Sequence, residues 1–226
     1  MSKPAVVVVG GGVIGLSTAL QLKRLGAGRV VLLEKETIGS GSSSRAAGIT
    51  NTLMWTETGT RARQIGVRLF RELSAELPGY TYHDEHGCLN LFAGDLPRDY
   101  QELLPLYDRL DAPYELLEAA AGRGRWAGLH PPSDVVGLFD PQGGYSEPDK
   151  YLPALQQCIE DLGVEIHEQT PVRELVVRQG RVAGVKTDRE TLEADAVVSA
   201  VHVWSVALWS DLGIRVPQKN FVHQRY

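Results

Sequence analysis

Three glycines and one acid carry the clearest chemistry in this chain. Gly10, Gly12 and Gly15 fall in a Gly-x-Gly-x-x-Gly pattern, and Glu34 follows Gly15 at a spacing of ~20 residues. Each type has a physical reason to stand where it does. Gly10 permits a tight turn. Gly12, without a Cβ, lets an anionic group approach the backbone, and Gly15 lets a helix pack close to a strand. The N–H groups of Val13 and Ile14, at the start of such a helix, point at that anion with the dipole's positive end behind them. A carboxylate at the far end can accept hydrogen bonds from ribose hydroxyls. The chemistry this implies is the holding of a dinucleotide with a free 2′-hydroxyl, FAD or NAD rather than NADP.

Such a set works only if the right elements position it. The apolar run Ala5-Val6-Val7-Val8-Val9 precedes the glycines and reads as a buried strand. A helical pattern over Val13–Leu25 follows, with Leu16, Ala19, Leu20 and Leu22 on one side and Gly26 as its stop. Val30-Val31-Leu32-Leu33 is a second buried strand, closed by Glu34 and Lys35. Strand, glycine turn, helix, strand and acid occur in the order a βαβ dinucleotide unit requires.

A second cluster follows. Ser42-Ser43-Ser44-Arg45 runs directly into Ala46-Ala47-Gly48-Ile49. Small residues of this kind let a backbone lie against a flat group, while the hydroxyls and Arg45 are free to meet phosphates. With the glycine motif and Glu34, this segment resembles the D-amino-acid oxidase superfamily of FAD enzymes, which includes glycine, sarcosine and dimethylglycine oxidases. The resemblance implies that the serines contact the pyrophosphate and that the Ala-Ala-Gly segment runs beside the isoalloxazine ring. Some relatives carry a flavin-linked histidine just before that segment. Arg45 stands there in this chain, so FAD is expected to be bound non-covalently.

Composition narrows the class further. The 226 residues carry a net charge of −5, so no basic surface invites nucleic acid. The two cysteines, Cys88 and Cys158, are in no metal-like spacing. No apolar run reaches the ~18 residues of a membrane span, and the four residues before the first strand read as no signal peptide. The expectation is a cytoplasmic protein.

The middle of the chain reads as mixed helix and strand. Thr60–Leu77 places Ile65, Leu69, Leu73 and Leu77 four apart on one stripe, with Arg61, Arg63, Arg68 and Arg71 mostly on solvated faces. His83-Asp84-Glu85-His86 reads as a polar turn rather than a metal site, ahead of a strand from Gly87 to Phe92. Asp99–Leu110 has the period of a short helix, and Ala119–Pro132 reads as a loop with a helical turn. A turn and extended piece over Gly137–Pro148 lead to a helix N-capped by Asp149, with Tyr151, Leu152, Leu155, Ile159 and Leu162 as its buried face. Val164–Ile166 is a short strand, Val172–Arg178 and Arg181–Thr187 form a hairpin about Gln179-Gly180, and Ala194–Ala200 is a last strand.

The resemblance assigns roles here too. The position of Val172 packs its backbone against adenine. An A-x-G-x-W-like turn near the pyrophosphate matches Ala200-Val201-His202-Val203-Trp204, with His202 where glycine is usual. That histidine reads equally as a cofactor-facing donor and as a buried, hydrogen-bonded structural residue.

The fold class expected is α/β. A Rossmann-like FAD-binding domain (1–80 and 145–212) would carry an inserted α+β substrate domain (81–144 and 213–226), with Phe221–Tyr226 starting a further strand. Family members are usually nearly twice as long, so a missing C-terminal half or a second chain would complete the substrate pocket and supply the substrate-carboxylate arginine. The activity implied is oxidation of a C–N bond of an amino acid or secondary amine by hydride transfer to the flavin. No catalytic side chain is identifiable. The alternatives are a non-catalytic FAD-binding subunit, half of a split flavoenzyme, or an NAD-dependent dehydrogenase.

Overall fold

The computed structural model describes residues 5–219. Its first part contains β1 (Val6–Val9), α1 (Val13–Arg24), β2 (Val30–Leu33), β3 (Ile49–Thr50), α2 (Glu57–Glu76), β4 (Tyr82–His83), β5 (Cys88–Ala93), α3 (Arg98–Gln101) and α4 (Leu104–Arg109). There follow β6 (Glu115–Glu118), α5 (Ala119–Arg125), β7 (Val135–Asp140), β8 (Gly144–Ser146), α6 (Pro148–Asp161), β9 (Glu165–His167), β10 (Val172–Arg178), β11 (Arg181–Thr187), β12 (Thr191–Glu193), β13 (Ala196–Ser199) and α7 (Ser205–Ser210).

The chain forms two compact units. One runs to Ala46 and resumes at Pro148; the other is Ala47–Glu147. The second unit, inserted in the first, takes in β3 and α2.

In the discontinuous unit a parallel sheet has the order β13-β1-β2-β9. Its central strands are all aliphatic and buried along nearly their whole length, as strands covered on both faces must be. Val7, Val9, Val31 and Leu33 pack with Val185 and Ala194 in one cluster. Helix α1 buries Gly15, Leu16, Ala19 and Leu20, and α6 buries Tyr151, Leu152, Leu155 and Ile159. Edge strand β9 is held by a bidentate pair: Arg29 Nε and a terminal guanidinium nitrogen donate to the two Glu165 oxygens at 2.6 Å each. The β10–β11 hairpin turns at Gln179 and Gly180, φ 51° and 75°, the two left-handed residues of a tight hairpin. A third strand, β12, extends that sheet.

The inserted unit has two antiparallel sheets, β3-β8-β4 and β5-β7-β6. Fully buried Tyr107 and Leu138 centre its core, with Leu53, Leu96 and Ala112.

Several sequence expectations are corrected. The buried line of α2 is Thr60, Val67 and Leu73, and Ile65 is 48% exposed; two residues from Val67, it points to the far side of the helix. The four arginines of that helix are exposed, with Arg61 and Arg68 paired to Glu57 and Glu72. The helix expected over Asp99–Leu110 is two, α3 and α4. Pro105 has no N–H for the Gln101 carbonyl, and its ring would strike that carbonyl. Helix α6 begins at Pro148, so Asp149 lies in its first turn, not at its cap, and Leu162 lies beyond its end, 43% exposed. Proline at the first helical position is preorganised for that start. The strand expected at Phe221–Tyr226 lies outside the described residues.

Candidate functional site

Parallel strands β1 and β13 end side by side, and the turns after them frame a cleft of about 890 Å³ within the discontinuous unit. Gly10 leaves β1 with φ 107°, a conformation L side chains avoid. A Cβ there would lie 2.5 Å from the Ala200 carbonyl oxygen, so the two turns touch at this glycine. A Cβ on Gly15 would lie 1.8 Å from the Gly10 carbonyl oxygen, which is the close helix-to-strand packing expected of it.

Gly12 N-caps α1 without a side chain to do so. The Val13 N–H instead donates to Ser43 Oγ at 2.9 Å, reaching across from the serine-rich segment. Leu16 is the first residue whose N–H finds a helical carbonyl, that of Gly12. Among the described residues the N–H groups of Gly12, Ile14 and Gly15 make no such bond, and Ile14 is 65% exposed. A Cβ on Gly12 would meet only Ser43 Oγ, at 3.0 Å. This is an open anion cradle at a helix N-terminus.

Glu34 is 8% exposed, and both its oxygens are engaged. Oε2 accepts from the Gly11 N–H at 2.7 Å and Oε1 from the Glu36 N–H at 2.9 Å. Each carboxylate oxygen retains a lone pair, and Glu34 lines the cleft. The sequence reading missed that Glu34 braces the glycine turn itself. A signal for it was present: Gly10-Gly11-Gly12 holds one glycine more than the motif needs. A Cβ on Gly11 would lie 2.5 Å from Ile38 Cδ1 and 3.0 Å from Glu34 Cβ.

Lys35 Nζ sits 3.9 Å over the Trp204 ring and 3.0 Å from Glu36 Oε1, and that ammonium holds the Glu36 carboxyl below its usual range. Val172 and Ala200 line the cleft with Ser42, Ser43 and Arg45. Arg45 donates to the Gly41 carbonyl at 3.0 Å. The segment is a run of tight turns rather than a flexible linker: Arg45 and Ala46 N–H groups donate to Ser42 and Ser43 carbonyls. Ser44 is exposed and donates its N–H to Gly39. Sequence reasoning did not single out Thr170, Pro171 or Arg173 beside Val172. Arg173 is paired with Asp188 at 2.7 and 2.8 Å, which raises the guanidinium pKa and lowers that of the carboxyl.

Ala47, Gly48 and Ile49 belong to the inserted unit. There Gly48 has φ 74°, and a Cβ would lie 1.8 Å from the Ser146 carbonyl oxygen; Ile49 pairs with Tyr145 and is 64% exposed. His83 of that unit stacks on Tyr145 at 4.5 Å and faces Glu85 and Glu147 at 3.5 and 3.7 Å. Among the described residues no group of His, Cys, Asp and Glu has the arrangement of a metal site, and no helix is long and apolar enough to cross a membrane.

A parallel βαβ unit with a glycine turn, an uncapped helix and a buried acid at the second strand defines a dinucleotide-binding protein. The chain belongs to the DAO family of FAD dependent oxidoreductases, whose profile matches residues 5–224. It is 32% identical over 216 residues to 4-methylaminobutanoate oxidase (formaldehyde-forming) of Paenarthrobacter nicotinovorans, covering 93% of this chain and 26% of that protein. It is 26% identical over 208 residues to the mitochondrial pyruvate dehydrogenase phosphatase regulatory subunit of Mus musculus, covering 90% of this chain and 23% of that protein. The crystal structure of L-proline dehydrogenase from P. horikoshii superposes with a TM-score of 0.85 at 23% identity, covering 94% of this chain and 56% of that one, a likeness of fold. The chain thus spans about a quarter of the length of the curated relatives it matches.

Proposed function

We propose that the cleft holds the ADP portion of FAD and that the protein oxidises a C–N bond of an amino acid or secondary amine. The observation that carries this is the open helix N-terminus at Gly12–Gly15, with Ser43 reaching across to Val13 and Glu34 closing the far side. The residues fit the cofactor's chemistry. Gly12, Ile14, Ser42, Ser43 and Arg45 would meet the pyrophosphate, Glu34 and Lys35 the ribose, and Val172 the adenine. Ala47, Gly48 and Ile49 would flank the ring system. When bound, the flavin supplies the two-electron acceptor; this chain binds and orients it, and none of its side chains is assigned as acid or base.

The substrate class is supported by the relative named 4-methylaminobutanoate oxidase, whose named substrate is both an N-methyl amine and an acid. The attachment is non-covalent, since Arg45 at the position in question is no nucleophile. Anaerobic mixing of this chain, joined by the half that completes its substrate pocket, with N-methylated amines and amino acids tests the reading: substrate-dependent bleaching of the flavin band is the expected result, and an unbleached flavin across the panel contradicts it, whereas the chain alone should not be bleached. Acid precipitation should leave the flavin in the supernatant, and flavin retained in the pellet contradicts non-covalent binding. A second reading, a non-catalytic FAD-binding subunit, is favoured by the relative named a regulatory subunit. It differs in predicting a flavin that binds but is bleached by none of these compounds.

A further inference from the structure

His202 opens the 3₁₀ turn His202–Trp204 with φ 46°, in the left-handed region. It is one of four described non-glycine residues with positive φ, and a glycine would relieve the strain. Packing does not account for the histidine: the residue is exposed, and among the described residues its imidazole has no hydrogen-bond partner. Its place in the cleft is specific. The turn that carries it presses on the glycine loop, with the Ala200 oxygen and Val201 Cγ1 standing 2.5 and 3.5 Å from where a Gly10 Cβ would be. His202 lines the same cleft as Gly12, Ser43 and Arg45.

We infer that His202 is a cofactor-binding residue whose imidazole donates a hydrogen bond to the pyrophosphate. The inference rests on the proposed FAD site. A strained L-residue with an unpartnered donor beside an anion cradle is stabilised by the anion rather than by the fold.

The test compares the wild type with His202→Gly and His202→Asn, each stripped of flavin and titrated with FAD, ADP and adenosine. Glycine accepts the left-handed backbone without strain, so His202→Gly should melt about 2 °C or more above the wild type while binding FAD and ADP about tenfold more weakly. Asparagine also tolerates this backbone and keeps an N–H donor, so His202→Asn should recover part of the loss. Adenosine lacks phosphates and should bind all three proteins alike. Undiminished FAD and ADP affinity in a folded His202→Gly protein would overturn the assignment, as would an equal loss for adenosine or a lower melting temperature. A wild-type chain that binds no FAD would instead overturn the underlying cofactor reading.

Discussion

The two turns that frame the cleft solve one geometric problem in opposite ways. Both leave parallel neighbouring strands, β1 and β13, and both need backbone with positive φ. After β1 the residue is Gly10, at φ 107°, and the next turn of chain is packed so closely that Gly15 has no room for a methyl group. After β13 it is His202, at φ 46°, exposed and unconfined. One turn is fixed by sterics and so dictates glycine. The other strains an L-residue at positive φ where glycine would serve, and the proposed pyrophosphate contact accounts for the histidine. A glycine is therefore not one kind of signal: Gly15 is required by the protein's own backbone, whereas Gly12 faces the cleft and meets only the Ser43 hydroxyl.

The sharpest way to break this distinction is to put side chains on both glycines. Gly15→Ala should cost about 4 kcal/mol or more, since its Cβ would lie 1.8 Å from a backbone oxygen that cannot swing aside. Denaturant unfolding would measure it. Gly12→Val should leave the fold intact and abolish FAD binding; near-normal flavin content in the folded variant would remove the phosphate assignment. Glu34→Ala comes next. Losing its acceptors leaves the Gly11 N–H buried and unpaired, at about 1–3 kcal/mol of stability. It should also weaken FAD binding by about 1.5–3 kcal/mol. A change in affinity alone, with stability untouched, would show that Glu34 does not brace the turn. Smaller still is Ser43→Ala, which removes the hydroxyl that stands in for the missing N-cap of α1, a loss of about 1 kcal/mol by thermal melting. The smallest effect is expected of Lys35→Met. It should change Trp204 fluorescence, because the ammonium lies over that ring, and alter stability by no more than about 1 kcal/mol.

The same contrast separates what could be read from the sequence from what could not. The βαβ unit was legible because its signals are local: all-aliphatic strands, a 3.6-residue stripe, glycines at fixed spacing. The β10–β11 hairpin was legible for the same reason, from Gln179-Gly180 and the alternation around it. Helix α2 was found, and Leu73 and Leu77 are buried as expected, but Ile65 fits the apolar period and is exposed while Val67 is buried in its stead. The break between α3 and α4 was written in Pro105, whose effect outweighs the periodicity around it. The second role of Glu34 left only the extra glycine of Gly10-Gly11-Gly12 as its trace, and the Val13–Ser43 bond left none. Each joins residues brought together by the folded turn, Gly11 to Glu34 and Val13 to Ser43.

The central claim is that the cleft between these two turns binds FAD. It is tested most directly by titrating the purified chain, stripped of flavin, with FAD and NAD in parallel by calorimetry. Saturable FAD binding, with no NAD binding over the same concentrations, is the predicted result. Saturable NAD binding without FAD binding would contradict it.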